Sequence, residues 1–300
     1  MTPTSLSDKQ TTATTVETVH RSELSRAWRR FRANRMALLG LALIILICIM
    51  AIFAPQLAPY DPIEDIFSGK RGVGPSWQHP FGFDHLGRDL LSRVIYGTRV
   101  ALIVGIASTV ITVVVGVLVG ALAGYLGGLT DTLLSRLIDT LMAFPIIALL
   151  IVLTAVLTPG LWTTVLVIGM TTWSRYARVV RADVLSLREQ DFVYAARALG
   201  ASNWRIILRH VLPNVLTPVI VLASLGIGGI IILEAALSFL GLGVRPPTPS
   251  WGGTLADGRA FITRFPSISV FPGLMIVVTV LAFNFIGDGV RDALDPHETD

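Results

Sequence analysis

One cysteine stands in the whole chain, Cys48, inside a long apolar run. A single thiol builds no disulfide framework and completes no Cys/His zinc spacing, so it fixes no redox compartment. Charge is equally thin: Asp, Glu, Lys and Arg make up 15% of the 300 residues, against 53% hydrophobic. That balance excludes an ordinary soluble domain. Catalytic signatures are missing too. No G-x-x-x-x-G-K-[ST] occurs, so the chain carries no nucleotide P-loop of its own. Neither G-x-S-x-G nor H-E-x-x-H is present, and the five histidines are scattered. An enzyme is therefore not expected, and no catalytic, cofactor-binding or metal-ligating residue is assigned. Repeated, interrupted spans of the kind that mark ion-coupled carriers are not found either.

What the chain does have is apolar length. Several runs reach the ~20 residues that cross a bilayer as helix. They predict an all-α membrane protein with six transmembrane helices: about 36–57, 100–126, 133–157, 161–180, one beginning after Pro213 and reaching about Leu240, and 270–285. Residues 1 to about 20 are rich in Thr and Ser and are expected to be disordered. The first apolar run starts too deep and runs too long for a cleavable signal peptide. Just before it come Arg21, Arg26, Arg29, Arg30, Arg32 and Arg35, against Glu23. By the positive-inside rule this end stays in the cytoplasm. Because these arginines abut a span directly, a nucleic-acid patch is the poorer reading. Arg175, Arg178 and Arg181, at the end of the fourth span, start a second basic zone on the same side. The C-terminus is also placed inside, and the loops 58–98 and 241–269 outside.

Within the first outer loop, Asp84/Arg88 and Asp89/Arg93 are i,i+4 pairs with the acid first. With Leu86, Leu90, Leu91, Val94 and Ile95 they predict an amphipathic helix at the interface. In the second span Ser108, Thr112, Gly116, Gly120, Gly124 and Gly128 recur every fourth residue. That spacing is the small-xxx-small device for close helix packing, with Gly116, Gly120 and Gly124 at its centre. Three intramembrane polar residues stand out: Asp139, Glu234 and Asn284. Acids in a span are candidates for a proton relay. For Glu234, a place near the helix end or an interhelical hydrogen bond is the simpler explanation.

The chain is organised around 189–213, EQDFVYAARALGASNWRIILRHVLP, a polar island between apolar runs. It reads as two short helices with a hinge. Asp191 is the expected N-cap of the first. Ala195 and Ala196 are strong helix formers, and Gly200 is the expected C′ residue with positive φ. Ser202 or Asn203 caps the second helix. Trp204, Ile207, Leu208 and Val211 form its apolar stripe, and Pro213 closes the segment.

This stretch resembles the coupling loop of ATP-binding-cassette importer permeases, with Ala195, Ala196, Gly200, Leu212 and Pro213 at matching places. Tyr194 stands where that family often has Glu, and His210 where it often has Ile. HPFGFDHLGRDLLSRVIYGTR resembles the signature of the C-type permease in peptide and nickel importers, with Phe83 at the usual Thr position. GLGVRPPTPSWGG and NFIGDGVRDALDP match the same family, the latter at Asn284, Gly287, Asp288, Gly289, Arg291, Asp292, Asp295 and Pro296.

The resemblance implies a type I importer permease fold in a bacterial inner (plasma) membrane, multi-pass with both termini cytoplasmic. It divides the chain into a basic cytoplasmic tail, 1–35; the first transmembrane helix and periplasmic loop, 36–98; the permease domain, 99–290; and a cytoplasmic tail, 291–300. The implied partners are a second homologous permease, two ABC ATPase subunits, a periplasmic or surface-tethered substrate-binding protein and membrane lipid, but no nucleic acid. ATP and Mg are expected on the ATPase subunits and no cofactor on this chain. Asp191, Tyr194, Ala195, Ala196, Gly200, Ala201, Leu212 and Pro213 are the expected coupling residues. The substrate class implied is di- or oligopeptides and similar small peptides. Glutathione and nickel remain alternatives, and an ion-coupled carrier is the rival mechanism.

Overall fold

The computed structural model describes residues 23–294, with side chains from Ala27 onward. Expectations for the Thr/Ser-rich start, Arg21, Asp295 and Pro296 lie outside the described residues. Among the described residues the regular structure is helical. In order come α1 (Glu23–Ala33), α2 (Arg35–Ile52), α3 (Ala54–Leu57), α4 (Leu90–Leu126), α5 (Gly128–Ala143) and α6 (Ile146–Val156). Then follow α7 (Leu161–Leu187), α8 (Asp191–Ala198), α9 (Asn203–Ile206), α10 (Leu212–Phe239), α11 (Trp251–Gly258) and α12 (Ser267–Leu294). Among the described residues the β structure is limited to the isolated bridges Ile66–Arg88 and Phe83–Asp89.

Four helical stretches are long and apolar enough to cross a bilayer: Arg35–Ile52, Leu90–Leu126, Asn203–Phe239 and Ser267–Leu294. The expected third span is broken. Gly128–Ala143 and Ile146–Val156 meet at 92° and count as a fifth span only if taken as one. The break follows from Pro145, which has no N–H and holds Phe144 extended, at φ −83° and ψ 137°. The expected fourth span is the first part of α7. This helix continues past Val180 to Leu187, through Arg175, Arg178 and Arg181, which keep it less apolar than the others.

The most extensive helix pairing is α4 with α7, and the small-residue stripe makes it. Ser108 Oγ donates to Val165 O at 3.1 Å, and Thr112 Oγ1 donates to Gly169 O at 3.2 Å. Further along, a Cβ at Gly116 would come within 2.6 Å of Tyr176 Cβ, and one at Gly124 within 2.9 Å of Arg181 O. Gly128 does not belong to the stripe. It lies past the end of α4, at φ +55°, with nothing near its missing Cβ.

The segment between α3 and α4 departs from its expected form. No amphipathic helix spans 84–89; the chain turns there and α4 begins at Leu90. Asp84 Oδ1 accepts the backbone N–H groups of Leu86 and Arg88, and its Oδ2 takes Arg88 Nε at 2.7 Å. A side chain that captures local backbone donors favours a turn over a helix. Asp89 does not pair with Arg93. It caps α4, accepting Ser92 N at 2.8 Å, and its other oxygen faces His79 Nδ1 at 2.9 Å. Arg93 turns instead to Asp84 and to Asp257 of α11. At the same end Arg99 donates to the carbonyls of Ala51 and Ile52, satisfying the last turn of α2. Trp251 Nε1 donates to Val94 O at 3.0 Å, pinning α11 to α4.

Candidate functional site

Two features along α7 define the site: the short-helix turn that follows it and a cleft beside its middle. The turn begins at α8. Its N-cap is Gln190, which makes no side-chain bond; Asp191 is the first helical residue and is exposed, so it is not the cap. Gly200 takes φ +79°. Its N–H bonds to Arg197 O at 3.0 Å, and Ala201 N bonds to Ala196 O at 3.1 Å. This paired closure of a helix end needs left-handed backbone at the glycine. Ser202 then caps α9 through the Arg205 N–H at 3.4 Å. Pro213 does not close the segment but sits in the first turn of α10. The turn before it, Ile207–Val211, widens to a π-helix. A wider turn gives the proline ring room that an α turn would fill with the carbonyl four residues back.

One side of this unit is anchored. Val193, Ile206 and Val211 are fully buried, packed with Tyr125 of α4 and Val180 and Val184 of α7. The other side is bare. Leu199 is 88% exposed and Trp204 61% exposed, and Phe192, Tyr194 and Leu208 are exposed as well. The expected stripe is thus split: Ile207 and Val211 face the core, while Trp204 and Leu208 face out. Ala195 is exposed, Ala196 and Ala201 are half-buried, and Leu212 is half-buried. Gly200 has nothing within 4 Å of its missing Cβ, so a side chain there would not press on Ala195 or Ala196.

Arg197 ties α8 to the end of α4. Its Nη2 donates to the Tyr125 hydroxyl at 3.4 Å, and the guanidinium lies 5.8 Å from the Tyr125 ring and 5.9 Å from the Tyr194 ring. The hydrogen bond to Tyr125 moves the Arg197 pKa further up. A polar cavity of about 350 Å³ opens here between Tyr125, Arg188, Glu189 and Tyr194.

The cleft has a volume of about 530 Å³ and lies between the α5–α6 break, α7 and α10. Phe144, Met142, Leu222 and Leu225 give it an apolar wall. Among its lining residues Arg175 alone is charged. Sequence reasoning placed Arg175 only in a basic zone. Its position against the cleft depends on the break at Pro145, which no periodicity reveals.

The three intramembrane polar candidates are not brought together. Asp139 pairs with Arg178 at 2.5 Å, both half-exposed or more, so it is not an isolated acid. Glu234 is fully buried five residues before the end of α10 and accepts Ser238 Oγ of its own helix at 2.7 Å. Asn284 is half-buried, its Oδ1 facing Gly228 of α10. Between the 58–89 segment and α11, Asp84, His85 and Asp257 bring ligand-type atoms within 4.8 Å of one another. Arg88 and Arg93 already face both carboxylates, so the positive charge a cation would bring is in place.

Comparison with known proteins agrees with this architecture. Residues 116–299 match the family described as binding-protein-dependent transport system inner membrane component. Residues 22–75 match the N-terminal TM domain of oligopeptide transport permease C. The chain is 45% identical over 269 residues to the glutathione transport system permease protein GsiD of Shigella flexneri serotype 5b, covering 90% of this chain and 89% of that protein. The GsiD of Escherichia coli O157:H7 gives the same figures. Two crystal forms of the MetNI methionine ABC transporter in inward-facing conformations align with TM-scores of 0.55 and 0.57, at 21% and 20% identity. Each covers 68% of this chain and nearly all of the solved one, which establishes a shared fold.

Proposed function

From a chain that belongs to the binding-protein-dependent transport system inner-membrane components, and is a permease subunit of an ABC importer, we propose that α8, Gly200 and α9 form the coupling surface that docks on an ATPase subunit. The observation that carries this is the two-sided build of the turn. Val193, Ile206 and Val211 fix it to the core, while Leu199, Trp204 and Leu208 stand bare beside a glycine hinge. An exposed apolar patch of this kind marks an interaction surface.

In this reading both termini and the turn lie in the cytoplasm, where two ATPase subunits bind ATP and Mg. A second, homologous permease packs alongside in the membrane. A substrate-binding protein delivers cargo at the outer loops 58–89 and 241–266. ATP binding draws the coupling surfaces together and shifts the paired permeases between inward- and outward-open states, a two-state equilibrium biased by nucleotide. The cargo is a small peptide-like molecule. The relatives named for glutathione transport, at 45% identity, favour glutathione within that class.

Two assays test this. Leu199→Glu with Trp204→Glu places charge on the docking patch; the ATPase subunits should no longer co-purify, while the variant still inserts. Retention of the ATPase at wild-type stoichiometry overturns the coupling surface. Separately, a deletion strain should lose uptake of labelled glutathione or of dipeptides. Normal uptake of both with lost nickel uptake overturns the substrate class.

A further inference from the structure

We infer that Arg175 is the carboxylate contact of the translocation path, and that the cleft it lines takes substrates with a free carboxylate rather than free metal cations. The inference deepens the transport reading and rests on it. Three arginines follow one another along the inner half of α7, and they are not equivalent. Arg178 pairs with Asp139 at 2.5 Å, and Arg181 holds Asp131 with two bonds of 2.5 and 2.9 Å. Arg175 makes no hydrogen bond or ion pair with any described residue. The acids of α5 thus neutralise two guanidinium groups and leave the third to the cleft.

The surroundings define what that group can do. The cleft, at about 530 Å³, lies in the ~300–1,000 Å³ range of small-molecule sites. Its wall is mostly apolar, and three of its four hydroxyls already donate to backbone carbonyls, Ser174 being the fourth. Thr171 Oγ1 donates to Val167 O at 2.7 Å, Thr172 Oγ1 to Ile168 O at 2.8 Å, and Tyr176 OH to Leu222 O at 3.1 Å. No histidine, cysteine or acid lines it among the described residues. A bare divalent cation would find no carboxylate, imidazole or thiolate there and would meet a positive charge. A peptide carboxylate would find a guanidinium, whose fork matches it in geometry and charge. The bend at Phe144–Pro145 opens onto the same space. Non-helical backbone at membrane depth is tolerated where it lines a cavity, so the break and the cleft belong together.

The test uses the full importer in proteoliposomes with saturating, substrate-loaded binding protein, so that selection by the binding protein is constant. The probe is labelled glutathione or, if the wild-type complex does not move it, dialanine, which carries the same terminal carboxylate. Arg175→Gln should slow transport about tenfold or more, the loss expected for a hydrogen bond to a charged group. ATP hydrolysis stimulated by the loaded binding protein should stay within about twofold of wild type. Arg175→Lys should transport at a rate between the two. A photoreactive residue at Met142 should capture the labelled probe during turnover, and the Gln background should lower that capture. Wild-type transport by Arg175→Gln, or unchanged capture, overturns the inference while leaving the transport reading intact. Loss of the assembled complex in both Gln and Lys variants assigns Arg175 to assembly and overturns it too. A wild-type complex that moves neither probe overturns the transport reading and this inference with it.

Discussion

Gly120 on α4 faces Ala177 on α7 so closely that a Cβ at position 120 would stand 2.5 Å from the Ala177 carbonyl oxygen. The obstacle is backbone, so no rotamer change relieves it. Gly120→Val should therefore destabilise the α4–α7 pair by about 1–3 kcal/mol, the usual scale of overpacking. Thermal unfolding of the purified protein in detergent measures it. Gly273→Ala in α12 is the control, since the nearest atom to its Cβ is Leu255 Cδ2 at 3.8 Å. Equal melting temperatures for the two variants would contradict the packing account.

The Gly200 hinge yields a conformational prediction, because only its φ of +79° constrains it; the space around it is open. Gly200→Val should strain the turn by about 1–3 kcal/mol. Transport should fall and the stimulation of ATP hydrolysis by loaded binding protein should be lost, with membrane insertion preserved. Gly200→Asn should keep most of the activity, because Asn enters the left-handed region at lower cost. If the Val and Asn variants behave alike, backbone conformation is not what matters here.

Asp84 holds the segment before Leu90 to α4 through Arg88 and Arg93. It is fully buried, as are Arg88 and Arg93 nearly, and it faces both guanidinium groups. Asp84→Asn leaves those charges under-compensated and should cost about 3–5 kcal/mol, the range for breaking one side of a buried pair. Glu189, which is 65% exposed beside Arg188, should behave differently. Glu189→Gln should change stability by less than about 1 kcal/mol, since an exposed pair is solvent-screened. Denaturation of the two variants side by side checks the contrast.

Topology gives the remaining prediction. In a Cys48→Ala background, a cysteine at exposed Gln190 should react only with reagent that reaches the cytoplasm. One at Trp77, fully exposed in the outer loop, should react from outside. Labelling of position 190 from outside would sink the orientation.

Several local signals in the sequence agree with the structure, though Asp191 as a cap and Pro213 as a helix stop do not. Apolar run length announced four of the six expected spans as unbroken helices, and four-residue spacing announced the face of α4 that meets α7. Gly200 followed by Ser202 announced the hinge and the cap of α9. All of these rest on helix geometry and backbone preference, which short windows carry.

Misreadings arose where a side chain had a choice of partners. The i,i+4 spacing of Asp84/Arg88 and Asp89/Arg93 suited a helix. Yet Asp84 took backbone donors in a turn, Asp89 took the cap of α4, and Arg93 reached Asp257, far away in the chain. The apolar residues 204–211 suited one stripe, but packing on α4 and α7 drew in Ile206, Ile207 and Val211 and left Trp204 and Leu208 outside.

The sequence by itself determined that this chain is helical, spans a membrane and carries a hinged polar turn, because hydrophobic length, periodicity and glycine placement are local properties. Only the tertiary structure decided which of three similar arginines stays unpaired. Asp131 and Asp139 lie on α5, which packs on α7 through Ile138 against Trp173 and Ala177, and that packing neutralises Arg181 and Arg178 while leaving Arg175 against the cleft.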